Sequence, residues 1–192
     1  MKIAIIGLGF VGLSLAAVLG SKNFNIIGID TDFKKIKKIQ NGIPPFSEPK
    51  LEKILKIGLK KRLKISSKFE EIKYCDLVFI SVGTPQLSDG SIDLKNIKSV
   101  VKTLGNQYKN STKKFQIVIK STVIPGTTVK IIKILEKTTK RKQGKDFDVI
   151  TNPEFLRESK AIEDTIKPHL IVLGGETSNS LKKLSNFYKN MH

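Results

Sequence analysis

At 192 residues, 39% hydrophobic and 27% charged, the chain is long enough for one sizeable core or for one domain with an appendage, and cramped for two domains. No apolar run approaches the ~18 residues of a membrane span, and MKIAIIGLGF runs on into a helix without a cleavage site, so no membrane partner is expected and the compartment reads as cytoplasmic. The formal charge of +18 comes almost wholly from lysine, with only Arg62, Arg141 and Arg157 as arginines and no aromatic interleaving of the basic runs, which argues against nucleic acid as a partner.

In chain order, KIAII reads as a strand, FVGLSLAAVLG as a helix, FNIIGI as a second strand and DFKKIKKIQ as a second helix, a βαβ opening. GIPPFSEP follows as an insertion in which Pro44, Pro45 and Pro49 exclude regular helix. After it come a lysine-rich amphipathic helix and a short LKIS run, and the whole insertion is placed as a loop plus helix. Further apolar runs at Asp76–Val82, Phe115–Lys120, Phe147–Thr151 and Leu170–Leu173 are separated by helical stretches, as a parallel sheet requires. Lys137–Lys145 reads as a polar surface connection and SLKKLSNFYKNMH as a helix cut short. The fold class is therefore α/β, a doubly wound Rossmann-type fold with a mainly parallel sheet and helices on both faces. The domain is expected over residues 1–175, with 176–192 starting a helix that leads to a further region.

Chemistry concentrates at strand ends. Gly7-Leu8-Gly9-Phe10-Val11-Gly12 is a G-x-G-x-x-G that follows a strand and opens a helix: Gly7 makes the tight turn, Gly9 admits a pyrophosphate and Gly12 lets the helix pack closely. Asp30 ends the second strand, where its carboxylate can accept from adenosine ribose hydroxyls and repel a 2′-phosphate, favouring NAD over NADP. The bland alternative is a helix cap, which Asp32 can supply instead. Gly83-Thr84-Pro85, Ser121-Thr122 and Asn152-Pro153-Glu154 each follow a strand, at the sheet end where such folds bind ligands. Ser121 to Thr127 can equally be a helix start with hydroxyl caps. Glu154 and Glu158 stand four apart in NPEFLRES, so on a helix they share one face and offer two carboxylates, or serve only as acids at a helix start. Cys75 precedes its strand, at the wrong end for a nucleophile, and reads as a small buried residue. With one cysteine and the two scattered histidines His169 and His192, no metal site is expected.

Read in order, GLGFVG, the Asp30 and Lys35 pair, NGIPPFSEP, VGTP, STVIPGT, and NPEFLRES followed by AIED resemble the UDP-glucose/GDP-mannose dehydrogenase family, over about Met1 to Gly175. The resemblance implies NAD as cofactor: the Gly7–Gly12 turn on its pyrophosphate, Asp30 and Lys35 on its adenosine ribose, Val82, Gly83, Thr84, Ser121 and Thr122 along the remaining path, and Glu158 near the nicotinamide. It further implies Glu154 as an acid/base in thioester hydrolysis, Thr122 as the hydroxyl ordering a water, and Glu154, Phe155, Leu156, Arg157 and Glu158 as one wall of the sugar pocket. Two residues depart from the family pattern: Ser159, where glycine is usual, and Leu170, where many members carry arginine.

Members of the family oxidise the C6 alcohol of a nucleotide sugar to a carboxylate in two NAD-dependent steps, through a cysteine-bound intermediate. The resemblance places that cysteine, and the lysine and asparagine beside it, beyond residue 192, so the chain alone is expected to bind NAD without turning over substrate. UDP-glucose is the substrate expected of the parent, with UDP-N-acetylmannosamine and GDP-mannose as alternatives, and a homodimer is expected at full length. A non-catalytic NAD-binding module is the competing reading.

Overall fold

All but one of the short β-branched runs become buried strands, and the longer apolar or amphipathic stretches become helices laid across the sheet. The computed structural model describes residues 1–191; His192, which entered the reading of the last helix and of metal-ligand spacing, lies outside the described residues. The strands are β1 (Lys2–Ile6), β2 (Asn25–Ile29), β3 (Leu63–Ser66), β4 (Leu77–Ile80), β5 (Phe115–Ile119) and β6 (Phe147–Thr151). All pair in parallel, in the spatial order β3-β2-β1-β4-β5-β6. Helices cover both faces, so the doubly wound expectation holds, and β4 is buried along its whole length as a two-sided parallel strand must be.

One face carries α1 (Phe10–Ser21), α2 (Phe33–Gln40), α3 (Leu51–Lys61), α6 (Ala161–Ile166) and α7 (Ser178–Met191). Leu15, Leu19, Leu55, Ile162, Leu184 and Phe187 join there in one core with Ile3, Ile5 and Phe79 of the sheet. The other face carries α4 (Lys95–Tyr108) and α5 (Thr127–Thr139), with Ile97, Val101, Leu104, Ile131 and Leu135 closing on Ile6, Val78 and Ile117. The domain division drawn from sequence falls at Gly175, yet α7 contributes Leu184, Phe187, Tyr188 and Met191 to the first of these cores. No helix among the described residues is long and apolar enough to cross a membrane.

Three local expectations need correcting or extending. The LKIS run is not merely part of a loop-plus-helix insertion but an edge strand, β3, paired to β2 from Ile26↔Leu63 to Ile29↔Ser66. Leu170–Leu173 is no strand of the parallel sheet. Just after that run, Gly174 bridges β6, and it does so antiparallel, exchanging both backbone hydrogen bonds with Thr151 at 2.7 and 2.9 Å. The Val172 carbonyl is taken by the Asn152 side-chain amide at 2.9 Å, so a side chain occupies a backbone group that a ladder would have used. Glu154 and Glu158 do not share a helix face either, since Pro153–Arg157 has no regular structure. There the Leu156 N–H donates to the Glu154 carboxylate at 2.6 Å and the Arg157 N–H to Asp164 at 2.9 Å, and Ser159 turns left-handed, which ends any helix before it starts.

Cys75 is fully buried just before β4, and burial pushes its thiol up to about 11, so it holds no thiolate at neutral pH. Its carbonyl, with that of Ile72, accepts from the Tyr108 hydroxyl at 3.0 and 2.8 Å, while the Tyr108 ring stacks on Phe115 with centroids 3.7 Å apart. Tyr108→Phe takes this donor from the Cys75 carbonyl, while the Ile72 carbonyl keeps the Cys75 N–H at 2.7 Å, and should cost about 1 kcal/mol in urea denaturation, with an unchanged midpoint contradicting this account.

Candidate functional site

Strand order reverses around β1, whose neighbours β2 and β4 lead outward in opposite directions, so a crevice opens beyond the carboxyl ends of β1 and β4. Gly7 follows β1 with φ +90°, a conformation that L side chains rarely adopt, and turns the chain into α1. A Cβ at Gly12 would stand 1.8 Å from the Gly7 carbonyl oxygen and 2.5 Å from the Ser81 hydroxyl, so α1 starts directly against the end of β1. At Gly9 an added Cβ meets nothing within 4 Å, and Gly9 caps α1 without any side-chain cap. The first turn of the helix therefore faces open space with its N–H groups, which suits an anion.

Asp30, 8% exposed, ties this turn to β2. Its Oδ2 accepts from the Leu8 N–H at 2.8 Å and from Lys35 Nζ at 2.9 Å, and its Oδ1 from the Asp32 N–H at 3.0 Å. Burial opposes the charge, but the Asp32 and Leu8 N–H groups and the Lys35 ammonium outweigh it and hold the carboxyl below the usual range. A carboxylate has about four acceptor sites, so one on Oδ1 remains for a ligand hydroxyl. The cap of α2 is supplied by Asp32, which accepts from the Lys35 N–H at 3.0 Å.

A cavity of about 480 Å³ runs from Asp30, Thr31 and Lys35 past Gly7 and Gly9 to Val82 and Gly83. A second, of about 240 Å³, shares Gly9, Val82 and Gly83 with it and continues past Phe10, Thr84, Ser121 and Thr122 to Glu154. A third, also about 240 Å³, shares Val11, Lys120 and Glu154 with the second and is walled by Phe155, Leu156, Pro168 and Leu170. Common walls make these one groove across the carboxyl edge of the sheet. Ser121 and Thr122 are not helix caps: α5 starts at Thr127 behind Gly126, while the Ser121 hydroxyl donates to the Val82 carbonyl at 2.7 Å and the Thr84 hydroxyl to the Thr122 carbonyl at 3.0 Å.

Not every residue singled out from sequence reaches the groove. Leu8 is buried in the core and Gly12 is packed against the turn. Arg157 pairs with Asp164 through two contacts at 2.6 and 3.1 Å, and Glu158 is exposed in a turn that lines none of the three cavities. Conversely, sequence reading passed over several residues. Ser81 donates to the carbonyls of Ile6 and Gly7, bracing the turn. Glu48, buried in the GIPPFSEP loop, accepts from the N–H groups of Ser159 and Ala161 at 3.1 and 2.9 Å and so pins NPEFLRES from 111 and 113 residues away. Lys120 stands where the second and third cavities meet. No local signal marks Glu48 or Lys120, because both roles depend on contacts made across the fold.

Fold and groove together define a Rossmann dinucleotide-binding domain. The model of the UDP-glucose/GDP-mannose dehydrogenase family, NAD binding domain, matches residues 1–192, and the chain belongs to that family. Its cofactor is NAD, and the open space at Gly9 and the uncapped start of α1 fit a dinucleotide pyrophosphate. GDP-mannose 6-dehydrogenase of Pseudomonas syringae is 39% identical over 194 residues, which cover 100% of this chain and 44% of that protein. UDP-glucose 6-dehydrogenase AglM of Haloferax volcanii is 33% identical over 189 residues, covering 98% and 44%. Among solved structures, a ternary complex of GDP-mannose dehydrogenase from Pseudomonas aeruginosa superposes with a TM-score of 0.96 at 37% identity, over 99% of this chain and 44% of that one. The chain thus spans less than half the length of these relatives.

The glycines separate folding from binding. Gly12→Ala should destabilise the domain by about 2 kcal/mol or more through overpacking against backbone. Gly9→Ala should leave the thermal midpoint within a degree or two while removing most NAD affinity; equal binding by Gly9→Ala would sink the pyrophosphate assignment. Ser159 has φ 63°, the left-handed region, which explains why glycine suits this position. Ser159→Gly should stabilise by up to about 1 kcal/mol, the relief of strain being partly offset by unfolded-chain entropy, and a lowered denaturation midpoint would contradict this.

Proposed function

We propose that this chain supplies the cofactor-binding half of an NAD-dependent nucleotide-sugar 6-dehydrogenase. The observation that carries the reading is the continuous groove in which the dinucleotide turn opens, through shared walls, onto a cavity holding Glu154. The Gly7–Gly12 turn takes the pyrophosphate, Oδ1 of Asp30 accepts a ribose hydroxyl with Lys35 beside it, and Val82, Gly83, Thr84, Ser121 and Thr122 border the remaining path. NAD, when bound, accepts the hydride from the sugar C6. Glu154 serves as the acid/base in hydrolysis of the acyl intermediate and Thr122 orders the attacking water. Phe155 and Leu156 wall the sugar end. Arg157 and Glu158 reach that wall only by leaving the positions described above, and we assign Arg157 the narrower task of holding Asp164.

UDP-glucose was the substrate expected from sequence, whereas the GDP-mannose 6-dehydrogenases share 37–40% identity with the chain against 33% for the UDP-glucose enzyme of Haloferax volcanii, and this favours GDP-mannose. The nucleophile, the rest of the substrate site and the dimer contacts belong in this proposal to sequence beyond residue 192, and the enzyme works in the cytoplasm.

Calorimetric titration tests the cofactor part. The chain should bind NAD more tightly than NADP, and Asp30→Ala should weaken NAD about tenfold or more, as loss of a hydrogen bond to a charged group implies. Sustained NADH formation by this chain alone with GDP-mannose or UDP-glucose would overturn the division of labour; the same assay on a chain extended to the relatives' length decides the substrate.

A further inference from the structure

Lys120 leaves the end of β5 and points its amine into the groove, where it is one of three residues, with Val11 and Glu154, that line both the cavity at Gly9–Thr122 and the cavity at Phe155–Leu170. Its Nζ has two acceptors among the described residues, both on Asn152: the side-chain oxygen at 3.1 Å and, more loosely, the carbonyl at 3.5 Å. Asn152 is itself immobilised. It is 2% exposed, its amide donates to the Val172 carbonyl, its N–H donates to the Ile119 carbonyl, and its Oδ1 takes the hydroxyl of Tyr188 from α7. An ammonium has three N–H donors, so this tether leaves one facing the junction.

We propose that Lys120 is a positioning residue of this site, a cation tethered through Asn152 to α7 that attracts the Glu154 carboxylate toward the junction of the two cavities. In the present conformation Glu154 accepts from the Leu156 N–H, so the attraction acts through space rather than as a contact pair. The other titratable groups facing this cavity are Asp164 of α6, His169 of the loop that follows α6, and Tyr188 of α7. Asp164 is held by Arg157, and burial pushes the Tyr188 hydroxyl up. Burial lowers the Lys120 amine to about 8, against the opposing pull of Glu154. Below that pH an ammonium faces Glu154; above it the amine is neutral and the attraction is lost. This inference rests on the proposed function for what Glu154 does, but not for the pairing itself.

The test needs neither cofactor nor substrate, so its failure is distinct from failure of the dehydrogenase reading. In the 192-residue chain labelled with 13C and 15N, the Lys120 side chain, assigned through its own backbone signals, is followed by NMR against pH, alongside Glu154→Gln. A midpoint near 8 in the parent that moves to lower pH in Glu154→Gln supports the pairing, because removing the carboxylate leaves burial unopposed. Glu154 lies on a partly exposed loop, so the variant retains the fold. A midpoint in the ordinary lysine range near ~10.4, or an identical midpoint in the two proteins, overturns it.

Discussion

The contact on which the rest of the structure depends is the close approach of α1 to the end of β1. With no side chain at Gly12 and a left-handed Gly7, the helix begins immediately over the strand that stands at the reversal of strand order. Ser81, at the end of the neighbouring β4, closes the turn with hydrogen bonds to Ile6 and Gly7, and Asp30 at the end of β2 closes it from the other side through the Leu8 N–H. Three adjacent strands thereby hold the three-residue turn between β1 and α1. The space left at Gly9 is a consequence of this bracing, and the cofactor groove is that space extended along the sheet.

The far end of the groove is made differently. No strand ladder supports residues 153–160; they are held by side-chain hydrogen bonds, Glu48 accepting from the Ser159 and Ala161 N–H groups, Asp164 from Arg157, and the loop's own Asn152 donating to the Val172 carbonyl. Such a loop is stabilised by charge-assisted and buried hydrogen bonds whose loss is costly one at a time. Lys50 bound to Glu163 at 2.5 Å, and Phe46 packed on Phe10 with centroids 5.5 Å apart, extend the same clamp, so the proline-rich insertion is a brace between the two ends of the groove. α7 joins this arrangement through Tyr188, which links the helix nearest the end of the chain to the residue that holds Lys120.

How legible these parts were from sequence follows from the range of the forces that form them. GLGFVG and the run of β-branched strands were readable because backbone sterics and two-sided burial act on neighbours a few residues apart. Asp32 as the cap of α2, which frees Asp30, was readable for the same reason. Leu170–Leu173 misled because an apolar run of four suits a strand by composition, whereas whether it pairs depends on Asn152 taking the Val172 carbonyl. The helical reading of NPEFLRES failed because local periodicity does not register competition from Asp164 and Glu48 for its N–H groups.

By itself the sequence determined a parallel doubly wound domain, a dinucleotide turn at Gly7–Gly12 with Asp30 beside it, and kinship with the UDP-glucose/GDP-mannose dehydrogenase family. Those features rest on periodicity, glycine conformation and residue order, all of which survive without coordinates. The tertiary structure alone decided that Glu158 faces outward, that Glu48 holds the Ser159–Ala161 backbone, that Lys120 lines the groove, and that Ser159 occupies a left-handed position, because each is set by a partner brought close only when the chain closes on itself.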